Sequence, residues 1–473
     1  MRGSMSPSMT ASLPTWVGRQ RWYAGKGRVP VLRPIGGLQL LDPAGEVEIN
    51  VHLLVDESGP TPTTYQVPLT SRRVPLPGAE HALIEKVATG DADTWYIYDG
   101  PHDPAYAAAL LRLMLDEGTA TSDGIEGSAV AVGHRAAPAV TGRLIASQVL
   151  AGEQSNTSII MSMVDSLEAP SNPLICKLFR VVHHGENPDV VVQTALAEAG
   201  SARVPQPVGN ISAQWPDADA PDGLAQGHLA YAQEFLPGVQ DAWRVALVAV
   251  AAGSDFSESA RSLGLATAEV HATLASTMPT RIATDDDVGA FTRRMRARHA
   301  AAVSEVPALA AYDAMVEASI ESVSSTTWPV LQRIHGDYHL GQVLDVPGRG
   351  WVLVDFEGEP LRPLGERTRP ELALRDVAGM LRSFDYVAGS WEQLHPGSSA
   401  LPWASRAREA FLDGYARGAG RDPRKDAVLL KALELDKALY EVVYEARNRP
   451  TWLDIPITAI ARLAAGPRSD LRP

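Results

Sequence analysis

With 473 residues, 45% of them apolar, the chain is long enough for several packed units, since one hydrophobic core rarely grows beyond about 250–300 residues. Its 42 Lys and Arg against 56 Asp and Glu give a formal charge of −14 with no basic block, which excludes a nucleic-acid footprint and leaves any phosphate to be met locally, as part of a small ligand. No run approaches the roughly 18 apolar residues of a membrane span, and a lone Cys176 excludes an internal disulfide or a CxxC metal site, so the cytoplasm is the default compartment.

The opening Met1-Arg2-Gly3-Ser4-Met5 lacks the apolar stretch of a secretory signal and reads as a vector-derived leader. The first hundred residues read as short strands. Val47–Leu53 and Thr64–Leu69 alternate apolar with polar between Gly/Pro-rich turns, the pattern of a half-buried antiparallel sheet. An Ala/Leu-rich stretch over 103–117 predicts a helix, and 119–127 a polar connector near a subdomain boundary. Strands return at Ser147–Leu150, Thr157–Met161 and Pro173–Phe179. Beyond about residue 240 the period becomes helical, as in 258–276, where Leu263, Ala266, Val270 and Leu274 recur three to four residues apart. Within that helical half, Val343–Val346 and Trp351–Val354 flank Pro347-Gly348-Arg349-Gly350 as a hairpin.

The strongest chemical signal is His335-Gly336-Asp337-Tyr338-His339-Leu340-Gly341-Gln342, followed by that hairpin and then Asp355-Phe356-Glu357. Phosphoryl transfer in protein-kinase-like folds needs a carboxylate beside the attacking hydroxyl, plus an amide oxygen and a second carboxylate that hold magnesium against the phosphates. Asp337 is the expected base, and Gln342 and Asp355 the expected ligands of Mg²⁺, a hard cation suited by oxygen. The hairpin brings both ends of the motif to one place. Gln342 stands where Asn is more usual, a longer amide with the same oxygen.

Upstream, Gly152–Ser158 joins two strands with small and hydroxylated residues whose N–H groups, at Ser155, Asn156 and Thr157, can approach phosphate oxygens. An isolated polar turn is more often only a hairpin connection, and no Walker A pattern is present. Lys177 lies on the third strand amid Ile175, Cys176, Leu178 and Phe179, where such kinases place the lysine that meets the α- and β-phosphates, in an interlobe cleft. Its pairing carboxylate is either Asp189 or Glu198. Ala232–Gly238 reads as a strand and turn, with Glu234 and Leu236 as backbone contacts for adenine.

Leu13–Trp16, Gln20–Lys26, Glu153–Ser158, Asn187–Asp189, His335–Leu344, Asp355–Pro360, Leu374–Phe384 and Glu434–Trp452 together resemble the bacterial, actinobacterial-type maltokinases, over nearly the whole chain. The resemblance implies an α+β, bilobal protein-kinase-like fold of the aminoglycoside-phosphotransferase type. Its parts would be a β-rich cap at 1–100, an intermediate N-lobe at 101–240 and a mostly helical C-lobe at 241–473. It implies ATP with Mg²⁺, and maltose converted to maltose 1-phosphate, which feeds α-glucan (glycogen) synthesis linked to trehalose metabolism. The implied partners are these small molecules, with no nucleic acid or membrane, and the chain either works as a monomer or meets trehalose synthase. In this family the lysine-pairing glutamate commonly follows Asn-Pro-Asp, where this chain has Val191.

As a helix, 434–449 places Leu435, Leu439, Val442 and Ala446 on an apolar stripe and Lys437, Glu441, Tyr444 and Asn448 on another face. With Asp337 and His339, Glu441 and Tyr444 are the expected sugar contacts, and Trp452 the expected aromatic platform. Two rivals stand beside this reading: another sugar or amino-sugar kinase of the same fold, such as a glucosamine kinase, and a non-catalytic sugar-binding partner of a trehalose-metabolising enzyme.

Overall fold

The computed structural model describes residues 7–88, 94–121, 129–136, 142–151, 155–220, 222–359 and 362–465, with backbone only at 7–10. Met1–Met5, Gly152–Gln154, Pro360 and most of the 119–127 connector lie outside the described residues. The chain divides into one unit of 1–194 with 205–237 and a second of 195–204 with 238–473.

In the first unit, helix α1 (Pro7–Arg19) precedes strands β1 (Leu32–Leu40), β2 (Glu48–Asp56), β3 (Thr63–Arg72), β4 (Leu83–Ala88) and β5 (Thr94–Asp99), paired in the order β1-β2-β3-β5-β4. Helix α2 (Pro104–Leu115) follows. Asp103 caps it by accepting from the Ala105 N–H at 2.9 Å, and the same buried carboxylate holds Arg72 of β3 at 2.6 and 2.7 Å. A second sheet contains β6 (Thr119–Thr121), β7 (Val130–Arg135), β8 (Arg143–Val149), β9 (Thr157–Val164), β10 (Pro170–Leu178), β11 (Pro207–Pro216) and β12 (Leu224–Glu234), in the order β6-β7-β11-β12-β10-β9-β8.

The half-buried sheet expected at β2 and β3 is instead covered on both faces. Leu53 joins the core shared with Met114, Ile159 and Trp215, while Leu54 and Val67 pack with Leu13, Val17, Trp22 and Tyr65. The alternation was misleading because the polar members are themselves buried: His52 lies inside, and Gln66 donates through Nε2 to the Phe179 and Leu229 carbonyls at 2.6 and 2.5 Å. Cys176 of β10 is fully buried, which pushes its thiol up to about 12.

Helix α3 (Pro188–Glu198) straddles the division between the units. The second unit contains β13 (Gln240–Asp241), α4 (Ala242–Ala251), α5 (Ser257–Thr277), α6 (Asp285–Glu305), α7 (Asp313–Ser324), β14 (Val343–Val346), β15 (Gly350–Leu353), α8 (Leu364–Arg367), α9 (Leu374–Leu394), α10 (Leu401–Ala419), α11 (Ala427–Asn448) and α12 (Asp454–Ala465). The apolar period read in 258–276 is the buried face of α5. That face meets α10 backbone to backbone, because a Cβ on Gly264 would come within 2.0 Å of the Phe411 carbonyl oxygen, and one on Gly414 within 1.9 Å of that of Arg261. Buried α9 presents Val377, Met380, Leu381 and Phe384 to this core, and also carries buried Asp376, Arg382 and Asp385.

Candidate active site

The β14–β15 hairpin aligns Val343 with Leu353, so the residues just outside it, Gln342 and Val354, stay together through a 3.0 Å bond from the Val354 N–H to the Gln342 carbonyl. One residue further, the Gln342 amide donates through Nε2 to Asp355 Oδ2 at 2.9 Å. Asp355 adopts φ +67°, a left-handed conformation that costs a non-glycine residue about 1–3 kcal/mol at such sites and fixes the direction of its carboxylate. Two oxygen donors on a rigid hairpin, the Asp355 carboxylate and the Gln342 amide oxygen, suit a magnesium ion.

The loop before the hairpin hangs on α9. Asp376 accepts from the His335 and Gly336 N–H groups at 2.8 and 2.9 Å and pairs with His271 Nε2 at 2.9 Å. Burial opposes its ionisation, but the His271 hydrogen bond and neighbouring positive charge still hold its pKa below the usual carboxylate value. Leu340 donates its N–H to Ser383 Oγ, about two turns further along the same face of α9. The His335 ring donates from Nε2 to the Val354 carbonyl at 3.0 Å and rests 4.6 Å from the Phe356 ring. Gly336, at φ +85°, lets the loop pass where a Cβ would stand 3.2 Å from the Gly358 Cα.

Asp337 Oδ1 lies 3.2 Å from Lys437 Nζ on α11, and Lys437 also meets Glu359 Oε1 at 3.1 Å. Glu359 is buried between Arg298 at 3.0 Å and Arg375 at 2.8 Å. Burial disfavours the Lys437 charge, but Glu359 and Asp337 outweigh it and raise its pKa. Burial likewise opposes the Glu359 charge, yet Arg375, Lys437 and Arg298 hold that carboxyl well below its ordinary range. Asp337 therefore works beside a permanent ammonium. His339 accepts the Gly341 N–H at Nδ1, 3.0 Å away, and burial depresses its pKa, so it is a neutral ring with its proton on Nε2.

On α11 the expected polar face is divided. Lys437 serves Asp337. Glu441 is buried, and its Oε2 accepts from Arg382 Nε and Nη2 at 2.9 and 2.7 Å, so this carboxylate is an ion-pair partner inside the helix packing and not an exposed sugar contact. Tyr444 is exposed and stacks with Tyr440 at 6.5 Å. Trp452 is packed against Trp243 and Tyr386, with centroids at 6.4 and 6.2 Å, and Arg449 lies over its ring, so it is no open platform.

In the first unit, Lys177 Nζ meets Asp189 Oδ2 at 2.8 Å. Of the two candidates, the aspartate at the start of α3 is the one that meets Lys177 among the described residues, and Gln193 Nε2 holds its other oxygen at 2.6 Å. Ser155 is exposed and Asn156 half-buried, but Thr157 is buried and its hydroxyl accepts from Arg180 Nε at 2.8 Å, while Arg180 Nη2 holds Asp99 at 2.9 and 2.8 Å. The Thr157 side chain thus belongs to the core and not to a phosphate cradle. At the end of β12, the Glu234 and Phe235 N–H groups bond the Gln206 and Pro173 carbonyls, with Leu236 next in line.

Sequence reasoning left Asp376 and Glu359 without roles. Both carried a signal: Asp376 is the one acid in Leu374–Phe384, flanked by Leu374, Val377 and Ala378, and Glu359 follows Asp355 by four residues beyond a glycine.

A family model described as the maltokinase N-terminal cap domain matches residues 16–103. A glucosamine kinase of Streptacidiphilus jiangxiensis is 32% identical over 290 residues, 57% of this chain and 64% of that enzyme. One of Mycolicibacterium smegmatis is 30% identical over 351 residues, 67% of this chain and 81% of that enzyme. Among solved structures, a glucosamine kinase (crystal form B) matches with a TM-score of 0.69 at 22% identity, covering 98% of this chain and all of the other. A glucosamine kinase in complex with glucosamine, ADP and inorganic phosphate matches with a TM-score of 0.63, also at 22% identity, covering 98% of this chain and 100% of that one. Fold and site define the class, a kinase-like α+β phosphotransferase with a β-rich N-terminal region, and the relatives narrow it to ATP-dependent sugar kinases. The chain belongs to the family of these glucosamine kinases, with a maltokinase-type cap at its N-terminal end.

Proposed function

We propose that the protein is a maltokinase, transferring the γ-phosphoryl group of ATP to the anomeric hydroxyl of maltose. The observation that carries the choice of acceptor is Lys437 Nζ, 3.2 Å from Asp337 Oδ1. A neutral sugar leaves the Asp337–Lys437–Glu359 pairing intact, whereas the cationic amine of an amino sugar competes with Lys437 for the same two carboxylates. Asp337 accepts the proton of the sugar hydroxyl and aligns it, and the neutral His339 ring offers its Nε2–H to a neighbouring hydroxyl. Asp355 and Gln342 would hold magnesium, which neutralises charge on the phosphates. Lys177, fixed by Asp189, meets the α- and β-phosphates, the Ser155–Asn156 backbone approaches them, and Glu234 and Leu236 receive adenine. The division into a cap over 1–100, a nucleotide-binding N-lobe over 101–240 and a helical C-lobe over 241–473 is part of the same reading, as is a product that feeds α-glucan synthesis linked to trehalose metabolism.

The names of the relatives favour a second reading, a glucosamine kinase. An ADP-release assay over maltose, glucose, trehalose and glucosamine separates the two. Turnover with maltose, and phosphorus–carbon coupling at C1 of the product, is the expected result. Turnover with glucosamine alone transfers the assignment to the second reading.

A further inference from the structure

A cavity of about 280 Å³ lies in the second unit, lined by α6, the Trp328–Leu331 segment, the turn around α8 and Leu433 of α11. That volume is close to the lower bound of about 300 Å³ for small-molecule sites. Four arginines line it against three carboxylates. Arg281 is held by both oxygens of Asp287 at 2.5 and 2.6 Å. Arg362 is held by Glu371 at 2.5 Å and Glu366 at 3.4 Å, and Glu371 is also shared with Arg375 at 3.1 Å. Each of these carboxylates thereby already has an arginine partner.

Arg294 is left over. Its Nε is buried with no hydrogen-bond partner among the described residues, and its guanidinium lies 5.4 Å from the Phe291 ring centroid. Burial first, and then the charge of Arg375, lowers its pKa, while Asp436 and Glu371 oppose the shift without reaching its Nε. Arg369 stands exposed at the rim, and half-buried Trp328 forms a wall, edge-on to Phe291 at 5.7 Å. An unpaired guanidinium in a partly dry pocket is costly until an anion enters, and its planar fork matches phosphate oxygens. Neither acceptor considered above supplies that charge, since maltose is neutral and glucosamine cationic.

We propose that this cavity is a binding site for a small sugar phosphate, its phosphate on Arg294 and Arg369 and its ring against Trp328, separate from the catalytic loop. The assignment goes beyond the proposed activity and does not depend on which sugar is phosphorylated. It also has a route to the reaction. Ion pairs run from Arg362 through Glu371, Arg375, Glu359 and Lys437 to Asp337, so an anion that draws on Arg362 disturbs the cation beside the base.

Calorimetric titration of the full chain with glucose 6-phosphate tests the site. Millimolar or tighter binding is expected, weakened about ten-fold or more in Arg294→Met and by less in Arg369→Ala. Asp337→Asn should still bind, shifted through the ion-pair chain by far less than the ten-fold of Arg294→Met, and loss of binding in that variant would place the ligand at the catalytic loop and overturn the separate site. Arg294→Met removes a charge without orphaning a partner, so its thermal midpoint should hold or rise. If that variant does not fold, exposed Arg369→Ala carries the test. Binding indifferent to Arg294→Met and Arg369→Ala, or absent at millimolar ligand, overturns the site. Inorganic phosphate binding as tightly as the sugar phosphate overturns its sugar-phosphate character.

Discussion

Asp337 is the base of the proposed reaction, and its environment was only half legible. A short motif in fixed order, closed by a hairpin, is visible in sequence because the geometry of phosphoryl transfer demands it. The cation beside Asp337 comes from a residue 100 positions away, and no local spacing reveals it. Asp337→Asn should lower kcat by about 10²–10⁴-fold with little change in nucleotide affinity, the usual scale for losing a positioned acid–base group. Near-normal turnover in the purified variant would remove Asp337 from the mechanism. Glu441 illustrates the opposite failure. Periodicity put it on the helix face opposite the apolar stripe, but its bond to Arg382 depends on how α9 and α11 pack, which the pattern of either helix alone does not contain. Glu441→Ala should leave Arg382 with Asp385 alone and cost about 3–5 kcal/mol, as when one partner of a buried pair is removed. Urea unfolding measures it, and an unchanged midpoint would return Glu441 to the role of a sugar contact.

At the scale of elements, helix existence was well marked by period and by the Asp103–Pro104 start, whereas helix partners were not. The α5–α10 contact depends on two glycines that look unremarkable in sequence, since a missing side chain leaves no mark on a hydrophobic pattern. Gly414→Ala should force the helices apart and destabilise the protein by about 1–3 kcal/mol or more, the cost of overpacking against backbone that has little room to yield. Thermal denaturation reads this directly, and a midpoint within error of the wild type would mean that the contact relaxes freely. The same limit applies to the half-buried sheet expected at β2. A period of two records which side chains are polar, not whether a helix such as α1 covers them, and buried His52 and Gln66 were counted as solvent-facing.

For the molecule as a whole, buried histidines and ion-paired carboxylates carry different acid sensitivities. In the first unit, burial lowers His52 and His228 from 6.5 to about 4. The unfolded chain then binds more protons between those values, so stability present above pH 6.5 falls as the pH drops toward 4. In the second, Glu359, Glu371, Asp376 and Asp385 have folded values below their ordinary 3.8–4.5, so their contribution persists above that range and is lost only as pH falls through the lower folded values. Hydrogen exchange followed from pH 7 downward should therefore show protection lost first among β2, β3 and β12 and in the loop around His339, which burial lowers in the same sense, and later around α9. Simultaneous loss at β2 and α9 would contradict this order. Cys176, with its thiol pushed up to about 12, has a practical consequence of another kind. The reactive species toward an alkylating reagent is the thiolate, and this sulfur is both protonated and sealed inside β10. The folded enzyme should resist maleimide at neutral pH and react once on unfolding, so a cysteine introduced at exposed Ser155 would carry a fluorophore alone, with no native residue to remove first.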